Sequence, residues 1–385
     1  MADAMTPNVA VALASGVSAA LVLSKMRGTA RRPPQSQPPA PGSEQRLVQL
    51  RCAHQNYAWG KGGERSLVAR LMPACSSEAV DAAAKYAELW CGSTHASGPS
   101  RLHCPADPQL DGVLLTDWLK ANPAMYGSMP ADAKGELPFL LKVLSIGKCL
   151  SIQAHPDRTR AKQLHTEQPK VYTDDNHKPE LACALTPFKA MVGFRPTAEI
   201  AASLKSTPEL VELIGADVCD KFFGGAADAP RQKALLQELY SALMRKRETA
   251  AALNGQLLEK LVARLTAEKH DGRTVEDCEE LALRLQEQYP NADIGVWSAF
   301  LMNYALLNPG EAVFLAAGEP HAYVEGDCVE IQACSNNTVR GGLTPKHIDV
   351  DTLLSMLTYN AGPTRYSEAV PLPGNEYCRK FSEDT

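Results

Sequence analysis

Two spacings of hydrophobic residues divide the chain into different kinds of structure. The apolar run over 139–146 is short and continuous, which predicts a buried β-strand. Between 197 and 290, leucines instead recur every three or four residues, which predicts amphipathic helices. Examples are Leu235, Leu236, Leu239 and Leu243. Strand patterns return after Pro290, so we expect a β protein with an inserted helical block. No cluster of reactive side chains lies in this block, so we expect it to be a scaffold.

Strand-like segments after residue 290 carry polar and apolar residues in alternation. Residues 311–317 and 327–332 are short β-prone segments separated by turn residues. In the second segment Cys328, Glu330 and Gln332 alternate with Val329 and Ile331. Successive side chains of a strand point to opposite faces. The pattern therefore predicts a strand with one apolar face and one face that lines a wet cavity.

The two ends of the chain differ from its middle. Residues 9–24 form an apolar stretch shorter than the roughly 20 residues of a membrane span, and five prolines follow within 33–41. We expect 1–46 to lie outside the fold, either as a targeting segment or weak anchor or as a disordered extension. A β domain is expected over 47–196 and 291–360, with the helical insertion at 197–290. Residues 361–385 lose the pattern as a truncated C-terminal segment, and 367–385 are predicted to form a loop.

Composition and charge exclude several classes of protein. Hydrophobic residues make up 45% of the 385 residues and charged residues 22%, which excludes wholesale disorder and a polytopic membrane protein. The net charge of -5 provides no global basic field for nucleic acid. The 11 cysteines include no C-x-x-C pair, so we expect reduced thiols in a reducing compartment.

Metal-capable side chains are concentrated in three segments. Ser151, Gln153 and His155 alternate, so a strand would point all three to one side. A polar segment follows at 174–180, and His321 comes directly after a Gly-Glu-Pro turn. Two imidazoles, one carboxylate and one amide oxygen would suit Zn²⁺. Taken singly, each of these residues is more typical of a core or surface position than of a metal site.

Seven motifs, in order, resemble those of type I phosphomannose isomerases, a family of zinc-dependent, cupin-like enzymes. The motifs are YAWG at 57–60, AELW at 87–90, LPFLLKVLS at 137–145, SIQAHPD at 151–157, HKPE at 177–180, GEPHAY at 318–323 and NTVRGGLTPK at 337–346. The resemblance covers about 55–350. It implies a mainly β fold with cupin-like jelly-roll structure and an inserted α-helical domain.

The resemblance also implies a set of metal ligands and catalytic residues. One zinc ion per chain is expected, and its ligands fall on Gln153, His155, Glu180 and His321. The family's catalytic arginine falls on Arg340. A guanidinium suits this role because it stays protonated and can stabilise an oxyanion. Three candidates for proton transfer or ring opening stay open. They are Lys178, His177 and Glu330.

Four further residues are candidates for binding the substrate. Lys142 interrupts the apolar run at 139–146, so it is either a satisfied buried lysine or a substrate contact. Ser151 shares the face of the metal-capable strand, and Trp59 is expected in the core or in the cavity wall. Lys346, which ends the last motif, completes the set.

The function implied by the resemblance is the interconversion of D-mannose 6-phosphate and D-fructose 6-phosphate through a cis-enediol(ate), which supplies mannose for GDP-mannose synthesis. We expect a cytoplasmic monomer with a small sugar phosphate as its partner, and no nucleic-acid or membrane partner. Targeting to an organelle by the N-terminal segment is the alternative location. The alternative functions are a catalytically silent sugar-phosphate-binding cupin with a truncated C-terminus and another metal-dependent cupin enzyme such as an oxygenase. Gln153 and the basic pair of Lys178 and Arg340 favour a phosphosugar.

Overall fold

The secondary structure is given by a computed structural model, which describes residues 9–13, 19–23, 48–76, 78–95, 98–126, 135–367, 369–372 and 375–381. The first strands in chain order are β1 (Val9–Leu13), β2 (Ala19–Leu23), β3 (Leu50–Arg51), β4 (Ala53–Gln55), β5 (Lys61–Gly62), β6 (Lys85–Tyr86), β7 (Glu88–Cys91), β8 (Arg101–Leu102), β9 (Phe139–Ile146) and β10 (Ile152–Ala154). The later strands are β11 (Glu180–Ala184), β12 (Phe188–Phe194), β13 (Met302–Leu307), β14 (Ala312–Leu315), β15 (His321–Ala333), β16 (Val339–Gly342), β17 (Tyr366–Ser367), β18 (Ala369–Leu372) and β19 (Asn375–Phe381).

Helices flank the strands and fill the predicted insertion. The α-helices are α1 (Leu67–Cys75), α2 (Leu115–Ala121), α3 (Arg158–Glu167), α4 (Thr197–Ser206), α5 (Pro208–Ile214), α6 (Ala216–Gly225), α7 (Ala229–Thr249), α8 (Ala251–His270), α9 (Asp277–Gln288) and α10 (Val350–Met356). Short 3₁₀ helices lie at Gly63–Arg65, Pro123–Tyr126 and Ile294–Phe300. The expected helical block is therefore confirmed by α4 to α9.

One large antiparallel sheet organises the described part of the chain. Seven of its eleven strands follow the order β17-β14-β11-β15-β9-β7-β4, while β10 and β12 also pair with β15. The strand predicted from the apolar run at 139–146 is β9, and seven of its eight residues are buried. The fold class is confirmed as mainly β, with an inserted helical domain.

The central strand β15 changes its partners at a glycine. Up to Glu325 it pairs with β10 and β12, and from Gly326 onward it pairs with β9 and β11. Gly326 has a φ of 120°, and a Cβ there would lie 2.7 Å from the Pro187 carbonyl oxygen. Only glycine fits this bend. The strand expected at 327–332 is thus the second half of a thirteen-residue strand.

The helical insertion and the β domain share one hydrophobic core. Leu239 and Leu243 of α7 belong to the same buried cluster as Ile152 of β10 and Phe194 of β12. The rings of Phe194 and Tyr240 contact edge to face, with 5.0 Å between their centroids. The leucine stripe that predicts the helices is therefore the surface that joins them to the sheet.

A second, four-stranded sheet brings together segments from the two ends of the chain. Its order is β1-β2-β19-β18. The loop predicted for 367–385 is therefore wrong over 369–372 and 375–381, because these residues pair with each other and, through β19, with β2. Among the described residues, no helix has the length and the apolar character needed to cross a membrane. The ten cysteines whose side chains the structure describes are free thiols.

Candidate active site and metal centre

A cavity of about 630 Å³ opens on the large sheet. Its walls include side chains from β7, β9, β10, β11, β15 and β16. Glu330 and Gln332 of β15 line the cavity, as the alternating pattern predicts. Cys328, two residues earlier, packs in a hydrophobic cluster with Leu144 instead. The polar face of this strand is therefore wet only toward its C-terminal end.

Three buried side chains converge beside this cavity. His155 lies just after β10, Glu180 begins β11 and His321 begins β15, and all three are at most 2% exposed. Glu180 Oε2 lies 3.3 Å from His155 Nε2 and 3.5 Å from His321 Nε2. These three atoms have no hydrogen-bond partner among the described residues. Such a buried, unsatisfied set is costly unless something coordinates it.

Both imidazoles are oriented by backbone carbonyls. His155 Nδ1 donates to the carbonyl oxygen of Asn337 at 2.8 Å, and His321 Nδ1 donates to that of Glu319 at 3.1 Å. Each ring therefore turns its Nε2 toward Glu180, as metal-ligating histidines turn theirs toward the ion. Burial lowers the pKa of His155 to about 4, so this ring is neutral at pH 7. Two imidazoles and one carboxylate fit a zinc ion.

Gln153 lies on the neighbouring strand at the same level. It pairs across the sheet with His321 on one side and with Arg340 on the other. Its side chain is half-buried and lines the cavity. Gln153 is therefore the strand neighbour of His321, whose ring centroid lies 5.1 Å from that of His155.

Glu180 is shared between the histidines and a lysine. Lys178 Nζ lies 3.0 Å from Glu180 Oε1, while Oε2 faces the imidazoles. Although burial opposes ionisation, Lys178 and His155 hold the pKa of Glu180 well below its usual value. The carboxylate is therefore charged at neutral pH, and Lys178 is buried in the cavity wall next to it.

A second buried ion pair lies farther along the sheet. Lys142 on β9 is directly opposite Glu330 on β15, with Nζ 3.2 Å from Oε2. Tyr323 donates its hydroxyl to the other oxygen of Glu330 at 3.0 Å. Burial and the charge of Glu180 raise the pKa of Glu330 above its usual value. Although burial opposes its charge, the carboxylates of Glu88, Glu330 and Glu180 raise the pKa of Lys142.

The remaining predicted substrate contacts lie on the same cavity. Trp59, Ser151 and Lys346 line it, and so does Arg340, the predicted catalytic arginine. Burial lowers the pKa of Arg340, but a guanidinium keeps its charge at neutral pH. The ammonium of Lys346 lies 5.3 Å from the centroid of the Tyr57 ring.

Of the predicted catalytic and substrate-binding residues, His177 alone is not among the described residues that line the cavity. Its Nε2 accepts a hydrogen bond from the Arg158 guanidinium at 2.8 Å. Burial, followed by the charge of Arg158, lowers the pKa of His177. The structure therefore separates His177 from its sequence neighbour Lys178.

Two residues that support the site were not singled out by sequence analysis. Asn337 holds His155 through its carbonyl, and its side chain donates to the carbonyl oxygens of Asp174 and Asn176. Glu88 accepts a hydrogen bond from the indole of Trp90, whose ring lies 5.5 Å from the ammonium of Lys142. Both lie inside recognised motifs, and the alternation of Glu88 and Trp90 on one strand face was an available signal.

The protein combines an antiparallel β fold with a buried site of two histidines and one carboxylate, next to a polar cavity with buried lysines. This combination is typical of a metal-binding enzyme. Family models for the type I phosphomannose isomerase catalytic domain and its helical insertion domain match residues 47–197 and 213–302. Mannose-6-phosphate isomerase 2 of Arabidopsis thaliana is 45% identical over 335 residues, which cover 85% of this chain and 74% of that protein. The human mannose-6-phosphate isomerase is 43% identical, over 86% of this chain and 77% of that protein.

Solved structures show the same relationship. A zinc-bound mannose 6-phosphate isomerase aligns with a TM-score of 0.69 and 30% identity, over 85% of this chain and 80% of that one. A mutant phosphomannose isomerase from Salmonella typhimurium aligns with a TM-score of 0.70 and 30% identity, over 85% of this chain and 78% of that one. The chain belongs to the type I phosphomannose isomerase family.

Proposed function

We propose that this chain interconverts D-mannose 6-phosphate and D-fructose 6-phosphate. The observation that carries the proposal is the convergence of three buried atoms, from His155, Glu180 and His321, next to the cavity that Lys178 lines; none of the three has a hydrogen-bond partner among the described residues. Family membership supports the same reaction, because the relatives are mannose-6-phosphate isomerases.

We propose that one zinc ion per chain is held by Gln153, His155, Glu180 and His321. The donor set of two nitrogens and two oxygens carries one negative charge, so a bound ion would stay Lewis-acidic and could polarise or orient the sugar oxygens. A relative binds zinc in its solved structure. Lys178 would keep Glu180 Oε1 occupied and leave Oε2 for the metal.

The isomerisation requires a proton to move between C2 and C1 of the open-chain sugar. A base takes the proton from C2 of the aldose, the electron pair forms the C1–C2 double bond, and negative charge collects on oxygen. Arg340 would stabilise that charge, because its guanidinium lines the cavity and stays protonated. A proton then returns to C1, and the hydroxyl proton on O2 is transferred to O1, which gives the ketose.

The proton-transfer group is proposed among three residues. Lys178 and Glu330 are both buried and line the cavity. Burial favours the protonated form of Glu330, which suits a carboxyl that must both accept and release a proton. His177 is the third candidate, and its ring would have to leave Arg158 to reach the sugar.

We also propose a substrate-binding role for Trp59, Ser151, Lys142 and Lys346, all of which line the cavity. In the cell, the chain is proposed to act as a cytoplasmic monomer whose partner is the sugar phosphate. Its product would feed the synthesis of GDP-mannose.

A coupled assay for fructose 6-phosphate formed from mannose 6-phosphate tests this function. Purified protein is assayed before chelation, after chelation and after zinc is added back. We expect turnover that chelation abolishes and zinc restores. Folded, zinc-loaded protein that binds mannose 6-phosphate without turnover would be a silent binding relative, and the enzyme assignment would be wrong.

A further inference from the structure

The charges that line the cavity do not all have partners. Among the described residues, Lys178 pairs with Glu180 and Lys142 pairs with Glu330. Asp174 also lines the cavity, and it accepts hydrogen bonds from Ser335, Asn336 and Asn337.

Three cations at this cavity have no ion pair with any described carboxylate. These are Arg340, Lys346 and Lys148. The proposed substrate carries a phosphate dianion and develops a further negative charge during the reaction. Arg340 and Lys346 already have assigned roles, whereas Lys148 has none.

Lys148 is held at the cavity wall from two directions. Its backbone N–H donates to the carbonyl oxygen of Trp59 at 3.0 Å. Its ammonium lies 4.0 Å from the centroid of the Tyr289 ring, a cation–π contact. Tyr289 is fixed in turn, because its hydroxyl donates to the carbonyl oxygen of Cys149. The Cys149 N–H donates to Gln288 at the end of α9 at 2.8 Å.

Two lysine–aromatic contacts flank the same short segment. Lys346 lies over Tyr57, and the Tyr57 and Trp59 rings are 5.9 Å apart. The Trp59 carbonyl in turn binds the backbone of Lys148. An aromatic ring carries no net charge. Neither ammonium charge is therefore offset by a described carboxylate, and both are available to an anionic ligand.

We propose that Lys148 is a further substrate-binding residue, which contacts the phosphate group of the sugar phosphate and is positioned by Tyr289. This inference rests on the proposed function, since that function supplies the phosphorylated substrate. Lys148 would bind the ground state and the transition state alike, because the phosphate does not react. Its loss should therefore change KM and leave kcat nearly unaltered.

Lys148→Gln tests the assignment, with Lys148→Arg as the conservative variant and Lys221→Gln as a matched control. Lys221 pairs with Glu238 on the surface of the helical block, away from the cavity. Steady-state kinetics give KM and kcat for mannose 6-phosphate, and calorimetry gives the Kd of inorganic phosphate. We expect Lys148→Gln to raise both KM and Kd about tenfold, or about 1.4 kcal/mol, with kcat within about threefold. Lys148→Arg and Lys221→Gln should stay close to the unaltered protein.

Tyr289→Leu removes the ring under the ammonium and should give a smaller rise in KM. Tyr289→Phe keeps that ring and should have less effect. Unchanged KM and phosphate Kd in Lys148→Gln would overturn the assignment, as would a lower kcat at constant KM. If the unaltered protein does not turn over mannose 6-phosphate, the proposed function fails, and the phosphate Kd of Lys148→Gln still decides whether Lys148 binds the anion.

Discussion

Replacing Lys142 by methionine should expose how strongly the buried pair with Glu330 contributes to folding. Lys142 and Glu330 are 8% and 3% exposed, with 3.2 Å between the charged atoms. Methionine keeps most of the apolar stem beside Trp90 but removes the charge. Glu330 would then retain Tyr323 as a hydrogen-bond donor while facing the carboxylate of Glu180. Breaking one side of such a pair costs about 3 to 5 kcal/mol.

A pH dependence follows from the same substitution. Burial already raises the pKa of Glu330, and loss of Lys142 should raise it further. The folded state then keeps a proton that an unfolded glutamate, with a pKa of about 4.3, has released. Stability falls with pH when the native state binds more protons. The free energy of unfolding of Lys142→Met should therefore fall, relative to the unaltered protein, as the pH rises above the unfolded glutamate's pKa of about 4.3.

Urea unfolding followed by tryptophan fluorescence, with zinc held constant, measures both effects. Lys189→Met is the matched control, because Lys189 and Glu325 are each 41% exposed and lie 3.4 Å apart. That exposed pair should contribute less than about 1 kcal/mol. Adding Glu330→Gln to Lys142→Met should recover part of the loss and flatten its pH dependence. The reasoning is refuted if Lys142→Met costs no more than Lys189→Met, or if its loss of stability does not grow with pH.

Three other substitutions test the metal centre, the proposed role of Arg340 and the bend in β15. His155→Ala should abolish zinc retention, measured by atomic absorption, and turnover with it, because it removes one of the converging nitrogens; retained zinc would contradict the ligand assignment. Arg340→Lys should lower kcat about 100-fold, because it removes the planar guanidinium. The free energy of unfolding should stay nearly constant, because Arg340 has no ion pair with a described residue. Steady-state kinetics measure the first effect and urea unfolding the second. Gly326→Ala should cost about 3 kcal/mol in urea unfolding, because its Cβ would lie 2.7 Å from the Pro187 carbonyl oxygen. Gly224→Ala, where a Cβ meets nothing within 4 Å in helix α6, should cost nothing measurable.

The spacing of hydrophobic residues was sufficient to predict the helices and strands whose buried face is visible in their own sequence. The apolar run became β9, and the leucine repeats became α4 to α9. The extent of β15 could not be predicted, because Gly326 resembles a strand break when only the sequence is available. In the structure this glycine lets one strand pass between two sets of partners. Long-range pairing of this kind leaves no local pattern.

Some residues of the candidate site could likewise be predicted from local spacing, and others could not. Alternation predicted that Ser151, Gln153 and His155 share one side of a strand. In the structure β10 ends at Ala154, and Ser151 and Gln153 line the cavity while His155 is buried beside it. Spacing alone could not select Glu180 among the polar residues of 174–180, so the family resemblance supplied it. The family resemblance also made both His177 and Lys178 candidates for proton transfer or ring opening. Neighbouring side chains outside a helix need not share a side, and only Lys178 reaches the cavity.

The helical insertion and the sheet share a single hydrophobic core, and this limits how the insertion can be removed or exchanged. Leu239 of α7 packs in the same cluster as Ile152, which lies between Ser151 and Gln153. The end of α9 also holds the loop that precedes β10, through Gln288 and Tyr289. Excising the insertion, or grafting it from a distant homologue, would uncover apolar surface directly behind strand β10. The insertion is thus not an interchangeable module, and a functional chimera would have to exchange helices and strand together.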